Sequence, residues 1–255
     1  MIRYRTIFFS LITALPVVTA WADAPAPPEG IWTGKGQAGF VGTQGNTNAK
    51  ALNAAIDMAL MEDPWRHTLH FSGLYSRSAD ITSAERWDAG WQSNYAINTK
   101  VFGFGSLRYE HDLFSGFQFQ ASGAVGLGYK IIDDSTTKLS GQVGVGYRDS
   151  RLESLTKNGA GEVTSRTLLP SNSNAILTAG LDYSQMLTAS TTLSDKLLVE
   201  SGSSDTLITN VLALAVKMSD RLALSVGYSL QDNSKPPAGL KKLDSVETVN
   251  LVYSF

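Results

Sequence analysis

Apolar and polar residues alternate with period two along most of the chain, in segments of about ten to fourteen residues, the pattern of strands with one apolar face. In Arg86–Ile97, Trp87, Ala89, Trp91, Ser93, Tyr95 and Ile97 fall on one row, and Arg86, Asp88, Gly90, Gln92, Asn94 and Ala96 on the other. In Phe117–Ile131 the apolar row is Phe117, Phe119, Ala121, Val125, Leu127, Tyr129 and Ile131, opposite Gln118, Gln120, Ser122 and Lys130. In Arg221–Gln231 the parity flips, with Leu222, Leu224, Val226, Tyr228 and Leu230 against Arg221, Ser225, Gly227, Ser229 and Gln231.

Twelve such segments are predicted: 32–43, 49–60, 65–77, 85–97, 101–112, 117–131, 136–149, 174–186, 191–201, 206–218, 221–231 and 245–255. The ninth and tenth are weakest, because Asp195 and Asn210 interrupt their apolar rows, and a different reading of 191–218 leaves ten strands. Short connections (Glu62–Pro64, Asn98–Lys100, Ile132–Ser135, Leu187–Ser190, Ser219–Asp220) alternate with longer ones (Gln44–Asn48, Ser78–Ala84, Leu113–Gly116, Ser150–Ser173, Gly202–Asp205, Asp232–Asp244). Tight turns at one end and longer loops at the other are the asymmetry of a membrane barrel. Aromatics gather near both strand ends on the apolar rows: Trp65, Tyr95, Tyr129, Tyr183 and Tyr253 toward the tight turns, Phe40, Tyr75, Trp87, Tyr109, Phe119, Tyr147 and Tyr228 toward the loops. The fold expected is all-β, a closed antiparallel transmembrane up-and-down β-barrel of about 12 strands. A soluble periplasmic β-sandwich is the alternative, since it also shows period two.

The N-terminal segment breaks the pattern. Arg3 and Arg5 precede an apolar run over Ile7–Val18, and Ala20-Trp21-Ala22 is the small-x-small site of a secretory signal. Residues 1–22 are expected to be the signal peptide, cleaved after Ala22, with Ala20 as second choice. Residues 23–31, carrying Pro25, Pro27 and Pro28, read as a short extended periplasmic leader, and 32–255 as the barrel. Loss of Arg3 and Arg5 takes the 21 basic residues to 19 against 23 acidic, a net charge of −4. That balance argues against nucleic acid as a partner. The absence of Cys excludes disulfides, a Cys-based zinc site and a thiol nucleophile.

Gly39-Phe40-Val41-Gly42-Thr43-Gln44-Gly45-Asn46-Thr47-Asn48 resembles the opening of the salt-induced outer membrane protein family. Gly105-Ser106-Leu107-Arg108-Tyr109-Glu110-His111-Asp112-Leu113-Phe114-Ser115-Gly116 resembles its central motif, and Gly126-Leu127-Gly128-Tyr129 continues the match. The similarity covers about Gly34 to Phe255. The resemblance implies an outer-membrane barrel made in response to salt, and supplies no reaction, substrate or catalytic residue. The end of the chain, with Leu251, Tyr253 and Phe255 on one row, resembles the assembly signal of such barrels.

The densest group of charges on the rows facing away from lipid is Arg86, Asp88, Arg108, Glu110 and Asp112, on two strands joined at Asn98–Lys100. A symmetric hairpin sets Asp88 near Glu110. Two readings stand: the charges pair across the lumen and hold the barrel round, or they form a charged constriction that selects solutes. Gly90, Ser122, Gly126, Gly144 and Ser229 leave room for a narrow pore. An outer-membrane lipid acyl hydrolase would need a Ser beside His67, His70 or His111, and neither Ser115 nor Ser93 is placed for His111. No metal or cofactor motif is present. The loop Ser150–Ser173, with Asn158-Gly159-Ala160-Gly161, reads as a flexible exterior loop, with a partner-binding or plugging segment as the alternative. The expected function is non-enzymatic: a narrow passive channel or a structural envelope protein of the outer membrane, linked by resemblance to salt or osmotic stress. The partners expected are the lipid bilayer and lipopolysaccharide, the barrel-assembly machinery and periplasmic chaperones in transit, and small solutes or ions.

Overall fold

The computed structural model describes residues 29–43, 49–78, 81–112, 115–159, 163–237 and 240–255. The signal residues Ala20 and Ala22 and residues 23–28 of the Pro-rich leader lie outside them. The strands are β1 (Trp32–Thr43), β2 (Ala49–Glu62), β3 (Trp65–Ser78), β4 (Ile81–Ala96), β5 (Val101–Asp112), β6 (Phe117–Asp133), β7 (Thr137–Lys157), β8 (Val163–Met186), β9 (Thr191–Gly202), β10 (Thr206–Lys217), β11 (Leu222–Asn233) and β12 (Leu243–Ser254). Each pairs antiparallel with its neighbours in the chain, and β1 also pairs with β12, so one sheet closes on itself. A closed ring has no second sheet to pack against, which removes the sandwich alternative. The two weak segments are regular strands, β9 and β10. Asn210 donates to Asp195 at 2.6 Å, so the two residues that interrupt the apolar rows satisfy one another.

The register carries the alternation around the ring. Trp65 faces Tyr95, Leu69 faces Trp91, Trp91 faces Leu107, and Gly105 faces Val125, all pointing outward. Val125, Leu127, Val143, Val145, Leu177, Val226 and Val249 are exposed on this surface. An apolar exterior around a polar lumen is the inverse of a soluble protein and the arrangement of outer-membrane barrels. Rings on adjacent strands touch: Phe71 to Trp87 at 6.2 Å, Trp87 to Tyr109 at 5.1 Å, Tyr109 to Phe119 at 5.9 Å, and Trp65 to Tyr95 at 5.0 Å nearer the tight turns.

The seam between β1 and β12 is short, with Lys35–Ala38 set against Ser254–Leu251. Phe255 extends it by exchanging backbone hydrogen bonds with Gly34, both at 2.9 Å. A Cβ at Gly34 would lie 2.5 Å from the Asp57 carbonyl and 3.0 Å from the Phe255 ring, so glycine admits the terminal aromatic. Inside the seam Asn53 donates to Asn250 at 2.6 Å, and the bond passes where a Cβ on Gly39 would sit. Leu251, Tyr253 and Phe255 point outward beside it, half exposed.

Two expectations about the loops are corrected. The described residues of 150–173 form the far end of the β7–β8 hairpin, paired from Arg151↔Ser171 to Lys157↔Val163. The sequence masked this because alternation fades there and Pro170, which lacks an N–H, reads as a breaker. A register shift between Arg151 and Glu153 absorbs the proline, and Arg166 reaches Glu153 at 2.5 Å. Residues 81–84 likewise belong to β4, not to a loop from 78 to 84. The lumen is also less open than its glycines imply. Phe104 lies where side chains on Gly126 and Gly144 would be, and Phe102 covers Gly128. Both rings are buried.

Candidate functional site

The inward row of β5 reads Phe102, Phe104, Ser106, Arg108, Glu110 and Asp112 from the tight-turn end to the long-loop end. Hairpin geometry pairs Arg86 with Asp112, Asp88 with Glu110 and Gly90 with Arg108. The five predicted residues therefore share one patch of wall, but their contacts divide them into three sets.

Glu110 is the hub of the first set. Its carboxylate meets Arg86 at 3.3 Å and Arg108 at 2.5 Å, and accepts from Gln231 at 3.2 Å. Arg108 reaches on to Glu200 at 3.3 Å. β11 stands six strands from β5 in the ring of twelve, and β9 four. These contacts cross the lumen. The carboxylates are almost sealed from water, with side-chain exposures of 2% for Glu110 and 5% for Glu200. Glycine at position 90, opposite Arg108, leaves the guanidinium free to extend inward.

Asp88 belongs to a second set on β2, β3 and β4. His70 is held at 2.7 Å from Asp57 and 3.2 Å from Asp88, and Ser72 donates to Asp88. All three strands are adjacent, so this cluster lines one wall. His70 is 42% exposed and Asp57 29%. Asp112, the last predicted residue, turns to the β5–β6 connection, where it accepts from the Ser115 amide at 3.2 Å. A further pair, Arg148 on β7 with Asp205 in the β9–β10 connection, is buried near the long-loop end.

The period-two rows put His70, Asp57, Arg148 and Glu200 on the lumen side, and nothing in the sequence signals which of them meet. Gln231 as the partner of Glu110 carries no signal at all. The hydrolase reading finds no support at His111, whose Nδ1 is taken by the Gln118 carbonyl, while Ser115 donates to the Asp112 carbonyl at 3.0 Å. His67 and Ser93 do meet on the outer surface at 2.6 Å, with the imidazole stacked on Trp65 at 5.9 Å and on Trp91 at 6.4 Å. That setting is aromatic packing near the tight-turn end, where the serine is buried. Among the described residues no group of three or more His, Cys, Asp or Glu side chains is arranged to hold a metal ion.

A segment crosses the long-loop end. Residues 234–237 leave β11, where Ser234 bonds to Thr206 through both its backbone N–H (2.9 Å) and its hydroxyl (2.7 Å), and with Leu240 belong to this segment. They reach Gly116 on the far side: a Cβ there would lie 2.8 Å from both Leu240 and Pro237, and the residue has a φ of +76°, so glycine is needed twice over.

Barrels of similar topology occur among solved structures. The chain is similar to the translocator domain of the autotransporter NalP from Neisseria meningitidis, at 11% identity over 88% of each chain with a TM-score of 0.48. It is also similar to an outer membrane channel from Pseudomonas putida F1, at 8% identity over 90% of this chain and 97% of that one, with a TM-score of 0.48. In sequence it is similar to the uncharacterized protein YdiY of Escherichia coli strain K12, 24% identical over 233 residues, which cover 91% of this chain and 86% of that protein. A family model described as a protein of unknown function, DUF481, matches residues 36–255, from the seam of β1 to the terminal Phe that closes it, and the chain belongs to that family.

Proposed function

We propose that the protein is an integral barrel of the bacterial outer membrane, and that its lumen is a narrow passive channel for small solutes or ions. The observation that carries this reading is the Arg108–Glu200 contact. Side chains from separate walls meet in a polar lumen, so rotation of two flexible side chains opens the passage without moving the sheet. The exposed His70 cluster supplies a wet, charged surface on the tight-turn side of that contact.

The test is single-channel conductance of the refolded barrel in planar bilayers. Glu200→Gln, which removes the charge holding Arg108 across the lumen, is expected to raise the conductance severalfold. Absence of conductance from both the folded wild type and the folded variant removes the channel reading.

A second reading is favoured by the depth at which Glu110, Glu200 and Arg148 are buried: a structural envelope barrel sealed by its own ion pairs. A deletion strain with unchanged solute uptake and altered growth in salt supports it. The association with salt or osmotic stress rests on the family resemblance alone. On either reading the partners are the bilayer and lipopolysaccharide on the outer surface. The barrel-assembly machinery would read Leu251, Tyr253 and Phe255, and chaperones would hold the chain in transit.

A further inference from the structure

Below the segment that crosses the long-loop end lies a cavity of about 210 Å³. That is under the ~300–1,000 Å³ typical of drug-sized sites, so its occupant is small. Gln120 and Gln231 lie on its wall from opposite sides of the barrel, Phe117 supplies an aromatic face, and Lys241, Lys242 and Asp244 complete the charged lining.

Two observations mark it as a binding site rather than a packing gap. First, Gln120 is only 6% exposed, yet its Oε1 has no hydrogen-bond partner. A buried amide oxygen left unsatisfied is costly, and a ligand hydroxyl or amine removes the cost. Second, the wall is built by contact across the whole mouth: Pro237 and Leu240 seat on Gly116, and Asn233 donates its backbone N–H to the Lys242 carbonyl at 2.8 Å, fixing the lysine-bearing segment to the end of β11. The titratable side chains lining it are two lysines against one aspartate, a net positive charge.

We propose that this vestibule binds a small organic anion that also carries hydroxyl groups. The carboxylate goes to the lysines, a hydroxyl donates to Gln120 Oε1, and the carbon face packs on Phe117. This rests on the channel reading only for its consequence, which is that such anions are the solutes admitted. The binding step itself needs no conduction.

The probes are sodium gluconate, glucose and sodium acetate, titrated calorimetrically into the full-length refolded barrel. Gluconate is expected to bind saturably and more tightly than glucose, which lacks the charge, or acetate, which lacks the hydroxyls. Lys241→Gln with Lys242→Gln is expected to weaken gluconate by about tenfold or more while leaving glucose unchanged. Gln120→Leu should weaken gluconate and glucose alike, by up to about tenfold. Heat-modifiable gel migration establishes that each variant is folded. No saturable gluconate binding, or binding indifferent to the lysine pair, overturns the proposal. Conductance measured on the same samples separates the two ideas: a barrel that conducts but does not bind gluconate loses this site and keeps the channel, and one that binds without conducting loses the channel and keeps the site.

Discussion

Two ionic clusters sit on the same inner surface and use the same chemistry, yet they differ in how they are enclosed. Arg86, Arg108, Glu110 and Glu200 draw on β4, β5 and β9, and their carboxylates are nearly sealed. Asp57, His70 and Asp88 draw on three adjacent strands, and of them His70 and Asp57 remain open to the lumen, at 42% and 29% exposure. The first cluster is a strut between walls, the second a patch on one wall. Burial decides what each contributes. A sealed carboxylate that loses its partners leaves uncompensated charge in a low-dielectric setting, whereas a half-exposed one is rescued by water.

The largest expected effect tests the strut. Glu110→Ala removes the carboxylate shared by Arg86 and Arg108 and leaves both guanidiniums facing each other. The expected loss is roughly 3–5 kcal/mol, read from urea unfolding followed by gel migration. Replacing Arg86, Arg108, Glu110 and Glu200 together with apolar residues of similar volume should recover most of that loss, because the desolvation cost disappears with the charges. A loss under about 1 kcal/mol for Glu110→Ala would mean that water reaches the strut, and the contrast between the clusters would collapse.

The strut and the patch also differ in how far they could be read from the chain. The hairpin half of the strut follows from period two and a tight turn, since centring β4–β5 on Thr99 sets Asp88 opposite Glu110, whereas nothing in the chain marks Asp57 and His70 as partners in the patch. The outward apolar rows, the twelve strands and the terminal Phe at the seam follow from the same local rules. Contacts such as Arg108–Glu200 and Glu110–Gln231 depend on the width of the barrel and the stagger of its strands, which are properties of ring closure and not of any segment. The filling of Gly126 and Gly144 by Phe104 escaped for a related reason. A glycine in a sequence reads as space, and only the packed neighbour shows who occupies it. The β7–β8 extension was hidden because its apolar residues, such as the adjacent Leu168 and Leu169 before Pro170, do not alternate with period two.

The middle effect tests the patch. His70→Gln is expected to cost about 1 kcal/mol or less, because the carboxylates it leaves can be hydrated from the lumen. Salt sharpens the comparison. Raising ionic strength from about 0.1 to 1 M shortens the screening length from ~10 to ~3 Å. The small difference between wild type and His70→Gln should then vanish, while the large one for Glu110→Ala should persist, since screening ions do not enter the sealed strut. Equal salt sensitivity in the two variants would show that the clusters share one environment.

The smallest effect extends the series to a carboxylate with no enclosure. Asp134 lies in the β6–β7 turn outside the barrel wall and accepts from the Thr137 amide at 2.5 Å, the Thr136 amide at 2.9 Å and the Thr136 hydroxyl at 3.1 Å. Those backbone donors, Thr137 first, hold its carboxyl below the ordinary value of 3.8. The folded turn therefore favours the ionised form. Its contribution is complete above pH 3.8 and is lost as the pH falls below that value, through the folded-state titration. Hydrogen exchange at the Thr137 amide should accelerate over this acidic window relative to the intrinsic rate. Asp134→Asn, which keeps an acceptor but cannot titrate, should abolish that acceleration while leaving the unfolding midpoint unchanged. An unfolding midpoint that moves with Asp134 would mean that the turn is coupled to the wall, and that even the exposed end of the series belongs to the load carried by the ring.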